Sequence, residues 1–326
     1  MSTFLLRRLF AGELDTDRRV LAESEVSSMT EVLSGLELER DVVLDITLAS
    51  DVEPHVNAAQ QSISKAGGPL YASRGKAGQA EGITLFGDGG DAVHVSIILQ
   101  HDRWLTDDTE NVVLRWFLLL HELMHVIQRA TGVGANHEDF DEATCTYREN
   151  VAYQARKAYD EYDADKRADE LSRHCLRAVG VHAGASEFFL DGYAGSAATL
   201  LVAMSDFVRS EVLPYRNDGG DSFLLGLDAH KLVRELFKVL PHAVALADAV
   251  EAMDGLTDAL MPQPGFSTYL GPDWTAFIGA MRAGSGAQAE PELSRIWTNV
   301  MARIGLNITN GDDGALDIHV VEPLLP

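Results

Sequence analysis

The apolar positions change period several times along the chain, and each change predicts an element. Over residues 1–40 the spacing is helical, with Val26, Met29, Val32, Leu33 and Leu36 recurring every three or four residues. "DVVLDITLA" (Asp41 to Ala49) alternates and is rich in β-branched residues, which predicts a strand. A short helix around Val56 to Ser64 follows, then the glycine-rich stretch "KAGGPLYASRGKAGQAEG". "ITLFGDGGDAVHVSIIL" reads as two strands joined by Gly87, Asp88, Gly89 and Gly90, a hairpin signal.

Helical spacing then dominates. One helix is expected over 109–129 and a long one over 142–179, separated by the loop "ATGVGANHEDF". Beyond residue 185, helices are expected at 187–213, 221–239, 242–256, 273–283 and 291–304, with a last strand at "ALDIHVV". The whole reads as an α+β domain over 1–180 followed by a mostly helical region over 181–326, divided near "AVGVHAGAS".

The segment "WFLLLHELMHVIQ" (Trp116 to Gln128) breaks its own pattern, because His121, Glu122 and His125 interrupt a helix that is apolar nearly all round. Asp107, Asp108 and Thr109 offer capping groups at its start, and Glu110 places a negative charge in the first turn. Two histidines four apart stack their imidazoles on one face, one turn above the other. So placed, they can share one tetrahedral zinc at about 2.0–2.1 Å each. Glu122 leaves the axis about 100° from His121, within reach of a metal-bound water but outside the coordination shell. Without a metal, three ionisable groups in an apolar helix are costly. Composition alone yields about 0.03 matches to this motif per chain, and the buried helical context makes chance weaker still.

A third protein ligand leaves the fourth position to water. In "YDEYDADKRADEL", Glu161, Ala164, Asp165 and Ala168 form an ExxADxxA pattern, with Ala158 one turn earlier. The alanines let this helix approach the first, Glu161 can complete the site, and Asp165 can accept the free N–H of a ligand histidine. Glu142, Glu149 and His137 are the other candidates for the third ligand. The HExxHxxGxxH pattern is broken by Gln128 and Thr131.

Charge and cysteine usage exclude other classes. A net charge of −24 and a pI near 4.7 oppose binding to nucleic acid or to an anionic membrane. No run approaches eighteen uninterrupted apolar residues, and "MSTFLLRRLFAGELDTDRR" lacks the apolar core of a secretory signal. Cys145 and Cys175 are too few for a disulfide framework, so a cytoplasmic setting with reduced thiols is expected.

The HExxH helix with ExxAD on a later helix resembles the gluzincin group of zinc metallopeptidases. The strand-rich lead-in and "EYDADKRADEL" are most similar to the ImmA/IrrE-type regulatory peptidases, over roughly residues 80–175. The resemblance implies a zincin-like core, zinc held by His121, His125 and Glu161, and a protein or peptide substrate. It implies amide hydrolysis in which zinc activates a water and Glu122 is the general base. It also implies that "AVHVSIILQ" (Ala92 to Gln100) borders the cleft and offers a free edge to an extended substrate. Tyr153, Tyr162, His182, Tyr193 and Tyr269 are the candidates for an oxyanion-stabilising group. The alternative is a zincin-like zinc-binding protein with little turnover that acts through its helical C-terminal half.

Overall fold

The computed structural model describes residues 4–33, 41–63, 74–75, 78–79, 82–89, 92–131, 145–310 and 316–326. It is an α+β protein whose chain divides into two compact units, residues 1–134 with 164–188, and residues 135–163 with 189–326. The long helix α4 (Tyr147–Arg177) contributes to both. The sequence places its single division at 180/181.

The first unit is built on a four-stranded mixed sheet of order β1-β2-β6-β5. Here β1 is Phe4–Phe10, β2 Asp41–Ala49, β5 Gly82–Gly89 and β6 Ala92–Gln100; β3 (Arg74–Gly75) and β4 (Gly78–Gln79) form a separate two-residue ladder. β1, β2 and β6 run parallel, while β5 pairs antiparallel with β6, as the expected hairpin requires. Helices α1 (Thr16–Leu33) and α2 (Val52–Ile63) link the parallel strands. On β6, Val93, Val95, Ile97 and Leu99 are buried on one face. Ile98 is buried on the other against Val52 and Val56 of α2, so both faces of the strand are covered.

Two expectations are corrected here. Residues 4–10, read as the start of a helix, form strand β1. A register shift between Leu6 and Arg8 leaves both Arg7 and Arg8 exposed, which erases the two-residue alternation from the sequence. β6 has no free edge, because β2 and β5 flank it; the strand at the sheet margin beside it is β5.

The second unit is helical. Its apolar core gathers α5 (Ser186–Phe207), α7 (Ser222–Ala249), α8 (Met253–Leu260), α9 (Trp274–Met281) and α10 (Gly286–Arg303) around Phe237, Phe277 and Trp297. A short helix, α6 (Leu213–Asp218), continues the line of α5. A break expected near Pro241 does not occur, and α7 runs through it. An interior proline costs a helix about 3 kcal/mol. Burial of Leu236, Leu240 and Val244, each contributing about 1.5–3 kcal/mol, outweighs that cost. The final strand β8 (Leu316–Val320) pairs with β7 (Leu306–Asn310), which the sequence reading missed.

The stretch Ser186–Asp218 is long and apolar enough to cross a membrane by length and composition, with a mean hydropathy of 1.2 over its best window. Ala197, Leu201, Met204 and Val208 from this stretch are fully buried in the helical core.

Candidate metal centre

Helix α3 (Thr109–Ala130) carries the centre. Its start is fixed by Asp108, whose carboxylate accepts from the Asn111 N–H at 3.0 Å. The Thr106 hydroxyl and that N–H hold the Asp108 carboxyl down at about 2. Farther along, Arg115 is 2% exposed and fully engaged. It donates to both carboxylate oxygens of Glu25 on α1, to the carbonyls of Arg103 and Thr106, and to Asp107. These contacts leave α3 little freedom to turn about its axis.

From Phe117 to Ala130 every residue is buried except Leu118, His121, His125 and Arg129. Those four fall three or four apart, so over this stretch the half-buried positions form one stripe. Both histidines lie on that half-buried stripe.

The two imidazoles meet edge to face, with centroids 4.7 Å apart and planes at 89°. Their Nε2 atoms are 3.1 Å apart. The Nδ1 of His121 stands 2.6 Å from Asp165 Oδ1, and Asp165 is 1% exposed. The Nδ1 of His125 lies 3.0 Å from Gln128 Oε1, one turn along the same helix. An oxygen lies behind each Nδ1, and with the ring protons on those atoms each Nε2 would offer a lone pair. In that protonation state the two Nε2 atoms, 3.1 Å apart, suit one shared cation. Two nitrogens on one tetrahedral ion at about 2.0–2.1 Å lie about 3.3–3.4 Å apart, close to the spacing found.

Glu161, on α4, completes the donor set: ligand atoms of His121, His125 and Glu161 all lie within 4.8 Å of one another. Two imidazoles and a carboxylate are a zinc-binding set, and the residues present fit such an ion. Ala164 and Ala168, the small residues of the ExxADxxA pattern, are fully buried. Of the other candidates for this position, Glu149 is exposed and accepts from the N–H and hydroxyl of Thr146, closing a capping box at the start of α4. His137 and Glu142 lie outside the described residues.

Glu122 is 7% exposed. Its Oε2 accepts a 2.6 Å hydrogen bond from the hydroxyl of Thr84 on β5. Sequence reasoning missed Thr84 and Gln128. Gln128 was within reach of it, standing three residues after His125 on the same face. Thr84 was not, being joined to Glu122 only by the fold.

Among the candidates for oxyanion stabilisation, Tyr162 donates to Asp248 Oδ2 at 2.7 Å, and Tyr269 donates to the Leu324 carbonyl at 3.3 Å. Burial, and then the bond to Asp248, push the Tyr162 phenol up. Tyr193 stacks on His242 with centroids 4.8 Å apart, and His182 is exposed. Cys145 and Cys175 are not joined in a disulfide.

Comparison with protein families, with curated proteins and with solved structures finds no match to this chain.

Proposed function

We propose that the protein is a zinc-dependent peptidase of the gluzincin type, most similar to the ImmA/IrrE-type regulatory peptidases, acting on a protein or peptide in the cytoplasm. The observation that supports this reading is the pair of Nε2 atoms 3.1 Å apart, with Asp165 Oδ1 2.6 Å from His121 Nδ1 and Gln128 Oε1 3.0 Å from His125 Nδ1. Bound there, zinc supplies a Lewis acid that polarises the scissile carbonyl and makes the attacking water acidic near neutral pH. His121, His125 and Glu161 would hold the ion, and Asp165 and Gln128 would keep the imidazoles aimed at it. Glu122 accepts the proton of the attacking water as the new C–O bond forms. It then delivers that proton to the amide nitrogen as the C–N bond breaks.

The decisive variant is Glu122→Gln, which keeps the shape and removes the base. Zinc content should persist while hydrolysis of substrates captured by the variant falls by about two to four orders of magnitude. Equal cleavage by variant and native protein would remove Glu122 from the mechanism.

A second reading, an interaction module with little turnover, is favoured by one observation. Phe223, Leu224 and Leu227 are 54%, 55% and 40% exposed at the start of α7, an apolar patch on the helical unit. It prevails if native and Glu122→Gln proteins hold zinc and a common partner, and neither cleaves anything.

A further inference from the structure

We infer that Thr84 is the positioning residue for Glu122: its hydroxyl holds one carboxylate oxygen so that the other is aimed at the reacting proton. This rests on the peptidase reading of the site. The bond is 2.6 Å to Oε2, with the Glu122 carbonyl a more distant second acceptor at 3.4 Å. A hydroxyl has one proton to give, and the shorter, charged acceptor takes it.

Each part of the arrangement is fixed from outside. Thr84 pairs with Ile97 across β5 and β6, so its place in the sheet is set by the ladder. A β-branched side chain has few χ1 choices, and the hydroxyl direction follows from the strand. A glutamate ordered on a buried helix gives up about 1.5–2 kcal/mol of rotamer freedom and loses hydration. Among the described residues the hydrogen bond shown on the carboxylate is to Oε2, which offsets part of both costs. The Thr84 hydroxyl bonds to Glu122 and, among the described residues, to none of the metal-ligand candidates, so the expected effect falls on the base and not on the ion.

The test compares Thr84→Val, which keeps the shape without the donor, with Thr84→Ser, which keeps the donor, and with Glu122→Gln. All are made in the full chain, loaded with cobalt(II) in place of zinc. The probe is acetohydroxamate, whose N–H and O–H are donors for a carboxylate beside the metal, and whose binding shifts the cobalt spectrum. We expect unchanged metal content in all variants. Thr84→Val should bind the probe about tenfold to a hundredfold more weakly, the weight of a hydrogen bond to a charged group. Thr84→Ser should stay within about twofold of the native protein. Weakening in Glu122→Gln that Thr84→Val does not share would overturn the role of Thr84 and leave the peptidase reading standing. Equal binding by all four proteins, or no binding by any, would overturn both.

Discussion

Asp165 Oδ1 stands 2.6 Å from His121 Nδ1, although 44 positions separate the two residues. Asp165 is 1% exposed, so this carboxylate is held away from water with an imidazole against it. The arrangement turns the Nε2 of His121 towards His125 and the candidate metal centre. Replacing Asp165 with alanine should weaken zinc binding by about tenfold to a hundredfold. The Asp165→Asn variant, which keeps an oxygen beside Nδ1 without the charge, should lose less. Competition with a chelator of known affinity measures both, and native affinity in Asp165→Ala would remove the carboxylate from the site.

The site was legible in the sequence where helix geometry alone fixes positions. His121, Glu122 and His125 follow from spacing on one helix. Glu161 and Asp165 follow from a second helix whose alanines mark its close face. Gln128 obeys the same spacing rule but was missed. Thr84 does not, because its contact with Glu122 is made by packing of a strand on a helix, and a lone threonine in a strand carries no signal. For the fold, β2 and β6 announced themselves by alternation, and the hairpin by Gly87, Asp88, Gly89 and Gly90, of which the first three belong to β5. β1 concealed itself, since the register shift at Leu6 and Arg8 breaks the period by which strands are read. Pro241 misled for a related reason: a local helix breaker is overridden by apolar burial that becomes visible only in three dimensions.

The guanidinium of Arg115 and the carboxylate of Glu25 are 2% and 12% exposed and form a bidentate pair. Removing one member of a buried pair strands the other's charge. Glu25→Ala should therefore cost about 3–5 kcal/mol of unfolding free energy. Urea denaturation measures it, and a loss below about 1 kcal/mol would mean that Asp107 and the backbone carbonyls suffice for Arg115.

Asp108 titrates at about 2 in the folded protein, below the ordinary value of 3.8, held down by Thr106 and by the Asn111 N–H. A carboxyl depressed on folding binds its proton more readily when unfolded, so its contribution is complete above about pH 4 and is lost as pH falls through about 2. Asp108→Ala should be less stable than the native protein at about pH 6. The two should converge between about pH 4 and about pH 2. Thermal unfolding across that range tests this, and a gap that stays constant down to about pH 2 would show that the cap does not act through its charge.

Metal content tests the central claim most directly. Elemental analysis of the full chain, purified without added chelator and dialysed against metal-free buffer, should find about one zinc per chain in the native protein. It should find essentially none in His121→Ala, with circular dichroism used to verify that the variant is folded. A native protein that takes up no zinc even when it is supplied, or a His121→Ala variant that keeps its full complement, would contradict the account.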